Sequence, residues 1–374
     1  MTEMERIFSR VAGYLEKEGA GPVRLLALKT EDTVRVWGEN GEAALTPVLS
    51  AAFAARAELG AAIVCAPRCC VRAAAAGRVI PPVLDDSAQI LGLRLRPAED
   101  AGAVGRLLRH SNACLLRGGQ PGVLCAGRSL MQAMAAALIA EKSARVYEEA
   151  RKLGGAKPLS LPVALLMHLG YELKYSRLSE AAPAQPLAGS PEQQSVVDCA
   201  RQMLAENLVQ GTWGNISLRL DDKTMLVTPS GRDYEKLSAG EIVPVDIDTL
   251  EYTGAIKPTS ERAFHAALLK LDSEARCVIH SHPNFSSAFA AALKPLPVLS
   301  EEDRSLLGES VPCTPPALPG SKKLCQQLVE TMGSKGCACI MGNHGIVVRG
   351  RSLEDALNKC RALERAAERY LENI

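Results

Sequence analysis

One segment occurs twice in this chain, and that internal similarity constrains the fold more than any other feature of its 374 residues. Near the C-terminal end the sequence reads Cys337-Ala-Cys-Ile-Met-Gly-Asn-His344-Gly-Ile-Val-Val-Arg-Gly350-Arg-Ser-Leu. Near the middle it reads Asn112-Ala-Cys-Leu-Leu-Arg-Gly-Gly-Gln-Pro121-Gly-Val-Leu-Cys-Ala-Gly127-Arg-Ser-Leu. Upstream, Val278-Ile-His-Ser-His-Pro283 through Pro297-Val-Leu299 runs against Ile63-Val-Cys-Ala-Pro-Arg68 through Pro82-Val-Leu84 at a constant offset of 215 positions. In that register His280 faces Cys65, His282 faces Pro67 and Glu261 faces Thr46, and the Gly350/Gly127 match sets His344 against Pro121. One copy keeps a polar set that the other has lost as a whole. A repeat of this length predicts two domains of one fold, one of them with a dead site. The expected boundaries are 1–180 for the degenerate domain, 181–191 for a linker rich in Pro, Ala and Gly, and 192–374 for the domain with the live site.

The chain is long enough for each half to bury its own core. A composition of 47% hydrophobic and 23% charged residues is that of a soluble globular protein. The net charge is +1, with no basic tract and no interleaved basic and aromatic pattern, so nucleic acid is not an expected partner. The start, Met1-Thr-Glu-Met-Glu-Arg6, has no apolar run of the signal-peptide kind. The most apolar stretch, 123–140, is interrupted by Arg128 and Gln132 and is expected as a buried helix rather than a membrane span. The 12 cysteines lack paired spacing, as expected of reduced thiols in a cytoplasmic protein. Cys65, Cys69 and Cys70 are expected to be small buried residues, although a relic thiol site there is conceivable.

Hydrophobic periodicity predicts helices over 129–153, 192–208, 286–293, 322–332 and 353–371. Strands are expected over 215–220, 224–228, 242–247, 277–280, 337–341 and 346–349. Thr259-Ser260-Glu261-Arg262 precedes an apolar-periodic helix to about residue 271. Helices and strands mix without a regular βαβ rhythm, which predicts an α/β sheet sandwiched by helices in each half.

Residues two apart on a strand point to one face, so His280 and His282 can chelate one ion. A third imidazole at His344 makes a three-histidine set with an open position, the arrangement of a catalytic rather than a structural metal site. Glu261, near the start of its helix, fits there as a helix-dipole partner alone. Beside a metal it is a candidate general acid/base. His265, four residues on, is expected to be structural. Three polar turns can hold an anion: Thr228-Pro-Ser230-Gly231, Thr259-Ser260 at a helix start, and Gly211-Thr-Trp-Gly-Asn215. Together they suggest a phosphorylated or carboxylated small-molecule substrate.

From residue 192 to 374 the sequence resembles the class II aldolase/adducin family. The resemblance is carried by Gly211-Thr-Trp-Gly-Asn-Ile-Ser217, Val227-Thr-Pro-Ser-Gly231, Lys257-Pro-Thr-Ser-Glu-Arg262, Val278-Ile-His-Ser-His-Pro283 and Gly342-Asn-His-Gly345, in family order. The first half resembles the same family more faintly, over 46–153. The resemblance implies two class II aldolase-like domains, each a central, mostly antiparallel sheet with helices on both faces. It implies one Zn2+ (or another divalent ion) per chain on His280, His282 and His344, with Glu261 as acid/base. It also implies phosphate contacts from Asn215, Ser230, Gly231, Thr259 and Ser260. The implied activity is a lyase reaction on a small phosphorylated sugar or related hydroxyketone through a metal-stabilised enediolate. The alternatives are an epimerase, a dehydratase, a decarboxylase or a non-catalytic adducin-like scaffold. A homo-oligomer of tandem chains, dimer or tetramer, is implied as well. Where the family's aldolases carry a tyrosine after the second histidine, this chain has Glu301; Asp303 stands near the aspartate of the epimerases but out of register.

Overall fold

In the computed structural model, which describes residues 2–30, 33–44, 46–175, 188–209 and 213–374, the chain divides into two compact units. The first comprises Met1–Glu148 and Pro158–Leu178, the second Glu149–Lys157 and Ser179–Ile374. Residues 181–187 of the expected linker lie outside the described residues. Among the described residues no helix is long and apolar enough to cross a membrane.

The first unit opens on α1 (Glu3–Lys17), where Thr2 and Glu5 close a capping box. The strands β1 (Val23–Lys29), β2 (Val34–Gly38) and β3 (Gly41–Glu42) follow. α2 (Pro47–Ala55) starts on the hydroxyl of Thr46, which accepts from the Leu49 N–H. Then come β4 (Ala61–Cys65), α3 (Arg68–Ala75), α4 (Asp85–Leu91), β5 (Pro97–Ala98) and α5 (Ala101–Leu108). The set ends with β6 (Ala113–Leu116), β7 (Gly122–Gly127), α6 (Leu130–Lys152) and α7 (Leu161–Tyr175). The sheet runs β3-β2-β1-β4-β7-β6-β5, antiparallel apart from the β5/β6 pair. Ala27, Ala62, Val64, Cys114 and Leu124 on one face pack with Leu49, Phe53 and Val104 from α2 and α5.

The second unit contains α8 (Pro191–Ala205), β8 (Gly214–Arg219), β9 (Thr224–Val227), β10 (Val243–Asp246) and α9 (Arg262–Leu271). β11 (Cys277–Ser281), α10 (Ser286–Ala292), β12 (Leu296–Pro297), α11 (Glu301–Leu307) and β13 (Ser310–Val311) come next. α12 (Lys322–Met332), β14 (Ala338–Ile340), β15 (Ile346–Gly350) and α13 (Leu353–Glu372) complete it. Its main sheet runs β10-β9-β8-β11-β15-β14 and is antiparallel throughout. Val278, Cys339 and Val347 face α9 and α12, packing on Phe264, Leu268, Leu328 and Met332. α8, α10 and α13 cover the other face. The class is α/β, with helices on both sides of an antiparallel sheet.

The expected helix over 123–140 is corrected: 122–127 form β7, because a run of apolar residues ending at a glycine suits a fully buried strand as well as a helix. α7, an apolar helix, lies outside the helices expected from periodicity.

The two sheets share one strand order, β2-β1-β4-β7-β6 and β9-β8-β11-β15-β14. Their pairing moves the expected register by one residue. Cys277 lies opposite Gly350 as Ala61 lies opposite Gly127, which sets His280 at the place of Val64 and Ser281 at that of Cys65. The match at an offset of 215 put the histidine on the other side of the sheet, since a one-residue slip inverts every side chain. Two contacts recur in the shifted register, the second buried in the first unit and exposed in the second. The Cys69 and Cys70 N–H groups donate to Glu141 on α6, and those of Phe285 and Ser286 donate to Glu364 on α13. Asp86 pairs with Lys142 at 2.5 Å, and Glu302 with Arg365 at 3.0 Å.

Glu364 also accepts from the Ser286 hydroxyl, so it satisfies three donors at the start of α10. Glu364→Ala is expected to cost about 3 kcal/mol, because it strips the acceptor from buried N–H groups. A shift in the urea midpoint measures this, and unchanged stability would contradict the capping role.

Candidate functional site

Alternation along β11 decides where the histidines point. His280 has the parity of Val278 and so faces α9, while His282 lies just past the strand end. β15 runs antiparallel beside β11, and the turn that leads into it presents His344. Two backbone features hold that turn. Asn343 adopts φ 56°, and Gly345 lies so close to β11 that a Cβ would stand 2.5 Å from the Ser281 carbonyl oxygen and 3.2 Å from the His280 ring. Only glycine allows that approach.

The three imidazoles converge. His282 Nε2 is 2.9 Å and His344 Nε2 3.0 Å from His280 Nε2, and all three residues are at most 4% exposed. His280 Nδ1–H donates to the Ile346 carbonyl at 2.7 Å, which fixes the tautomer and leaves the Nε2 lone pair bare. Burial holds the His280 imidazole well below its usual value, so it is neutral and able to ligate. The bare His280 Nε2 thus faces two further ring nitrogens within 3.0 Å, a set of donors on which one cation can sit. The donor set therefore fits a divalent ion such as zinc, which takes nitrogen ligands readily. Among the described residues no other such cluster of His, Cys, Asp or Glu occurs.

Glu261 is the N-cap of α9 rather than part of its first turn, and its side chain caps nothing. Its carboxylate turns inward instead, 3.4 Å from His280 Nε2 and 3.2 Å from His344 Nε2. Burial pushes its pKa up, whereas hydrogen bonds from His344 and the Asn215 amide favour the ionised form and bring it below the usual carboxylate range.

Asn215 Nδ2 donates to Glu261 Oε2 at 2.9 Å, and its Oδ1 lies 2.5 Å from His265 Nε2. His265 Nδ1 in turn lies 2.8 Å from Ser217 Oγ. His265 and Ser217 are fully buried; the sequence marked His265 only as structural and gave Ser217 no role. The available signal was spacing: Ser217 stands two beyond Asn215 on a strand, and His265 four beyond Glu261 on a helix.

The two polar turns run side by side. Ser230 N–H donates to the Lys257 carbonyl, and Thr259 N–H to that of Thr228. Ser230, Gly231, Thr259 and Ser260 thus lie on paired segments leading to Glu261; Thr259 is buried and Ser260 exposed. Gly211 and Thr212 of the third turn lie outside the described residues. Glu301 is an exposed residue at the start of α11, whereas Asp303 is buried and spent on Arg365 and Arg369 of α13. Cys69 is held protonated by burial, its pKa pushed up to about 12, and burial raises Cys70 as well, so neither thiol is poised as a ligand.

A family model for the Class II Aldolase and Adducin N-terminal domain matches residues 194–371. The L-fuculose phosphate aldolase of Escherichia coli O6:H1 is 31% identical over 179 residues, covering 48% of this chain and 82% of that protein. The 3-oxo-tetronate 4-phosphate decarboxylase of Haemophilus influenzae is 28% identical over 183 residues, covering 48% and 86%. A solved structure of L-fuculose 1-phosphate aldolase aligns with a TM-score of 0.47 at 27% identity, covering 50% of this chain and 88% of that one.

Burial lowers the His265 pKa from 6.5 to about 4, and His280 shifts in the same direction. On unfolding both regain ordinary values and bind protons that the folded state refuses. The stability of the metal-free protein should therefore be full above pH 6.5 and fall as pH drops toward 4, by up to about 3 kcal/mol for His265 alone. Urea unfolding at several pH values reads this, and a midpoint that is flat across the window would contradict it.

Proposed function

Because the chain belongs to the class II aldolase and adducin family, we propose that it is a divalent-metal-dependent lyase acting on a small phosphorylated ketose or related hydroxyketone. The observation that carries the proposal is the buried meeting of three neutral-capable imidazoles with one ionised carboxylate. His280, His282 and His344 would hold Zn2+ or another divalent ion, one per chain. When bound, such an ion supplies a Lewis acid for the substrate's carbonyl and hydroxyl oxygens. Glu261 is the group placed to take a proton from the substrate and return it. Its low pKa keeps it available as a base at neutral pH. Ser230, Gly231, Thr259 and Ser260, with the backbone around Asn215, form the proposed phosphate site at the start of α9.

The matched strand order and the recurring Glu141 and Glu364 contacts support a tandem pair, residues 1–180 and 192–374, as part of this reading. In it the first copy has Val64 in place of His280, Pro121 in place of His344 and Thr46 in place of Glu261, and serves a structural role. A cytoplasmic homo-oligomer, dimer or tetramer, completes the proposal; the free thiols of all 12 cysteines fit a reducing compartment.

Decarboxylation of a phosphorylated 3-oxo acid is the second reading. It is favoured by the likeness to a 3-oxo-tetronate 4-phosphate decarboxylase and by the exposed Glu301 where family aldolases have a tyrosine. Both reactions develop the same negative charge beside a carbonyl.

A panel of ketose 1-phosphates and phosphorylated 3-oxo acids separates the two. Aldehyde release is expected, and Glu261→Gln should lower kcat by about 10^2–10^4 with the metal retained. Carbon dioxide release alone would move the assignment to the second reading. Turnover of neither class would overturn both and leave an adducin-like scaffold.

A further inference from the structure

The base has a neighbour with no evident reason to be polar. His265 lies in the interior of the second unit, where an aliphatic residue would pack, yet both of its ring nitrogens are engaged. We infer that His265 and Ser217 are positioning residues, which hold the Asn215 amide with its NH2 toward Glu261 and so keep that carboxylate oriented. The role assigned to Glu261 rests on the function proposed above; the direction of the hydrogen-bond chain does not.

That direction follows link by link. Asn215 presents its NH2 group to Glu261, with Nδ2 2.9 Å from Oε2. The amide oxygen therefore faces His265 Nε2, which must carry the hydrogen. The imidazole is neutral because it is buried, so Nδ1 is bare and accepts from the Ser217 hydroxyl. Ser217 selects the tautomer, the tautomer selects the amide orientation, and the amide donates to the base. Asn215 and Ser217 stand two apart on β8, hence on one face, and His265 lies one helical turn beyond Glu261 on α9, hence above it.

The first unit offers a comparison on the same strand order. Leu25 lies opposite Val64, and Ala27 opposite Ala62, as Asn215 lies opposite His280 and Ser217 opposite Val278. At the N-cap of α2 stands Thr46, with Ser50 four residues on. The four-member chain is missing there together with the histidines. Residues kept only for packing would not be expected to disappear with the metal ligands.

The first test needs no activity. In the 15N-labelled metal-free protein near neutral pH, long-range proton–nitrogen spectra of the imidazoles should show His265 protonated on Nε2 and bare on Nδ1. The opposite tautomer overturns the inference. The second test uses the metal-loaded protein and the exchange of carbon-bound protons of dihydroxyacetone phosphate into D2O. His265→Leu should lower kcat on the order of 10–100-fold with KM and metal content unchanged. His265→Gln, which can place an N–H where Nε2 stood, should recover most of that loss. Ser217→Ala should fall between the two. Equal losses in the Leu and Gln variants, tracking their stability, would make the role merely structural and overturn the inference. If the wild type exchanges no proton, the enzymatic reading fails, and the tautomer alone decides whether the chain is directed as argued.

Discussion

The antiparallel pairing of β11 with β15 is the contact on which the rest of the site depends. It places the end of a fully buried strand beside the turn that carries His344, and it fixes which face each histidine takes. Gly345 makes the pairing close enough for the rings to converge, because any Cβ there would collide with the Ser281 carbonyl. The site is thus built on a rigid sheet, and only Glu261 is delivered from a helix start. Imidazoles held this way need little reorganisation to take up a metal ion.

Burial supplies the electrostatics. An isolated carboxylate in this interior would be pushed toward its neutral form, and isolated imidazoles toward theirs. Placed together and joined to Asn215, the carboxylate stays charged while the His280 imidazole stays neutral. That combination suits both metal ligation and proton abstraction. The same burial makes every polar member costly without its partners, so the chain through His265 and Ser217 is fully hydrogen-bonded.

Much of this was legible in the sequence. His280, His282, His344 and Glu261 stood out because polar residues at a strand end and a helix start are chemically conspicuous, and the similar segment of the first half lacks them. What stayed hidden has a physical cause in each instance. The register between the halves slipped by one because apolar residues such as Ile63 and Val64 match either way, and only hydrogen-bond pairing distinguishes the faces. α7 was invisible because a uniformly apolar helix carries no periodic contrast. His265 read only as a structural residue because spacing sets it beside Glu261, while its hydrogen bonds to Asn215 and Ser217 are made by tertiary packing of α9 on β8.

The most direct measurement is the metal content of the purified protein by elemental analysis, beside His344→Ala. The account predicts about one divalent ion per chain in the wild type, lost in the variant, and a rise in thermal stability when zinc is added to the stripped wild type but not to the variant. A wild type that binds no ion, and gains no stability from zinc, would contradict it.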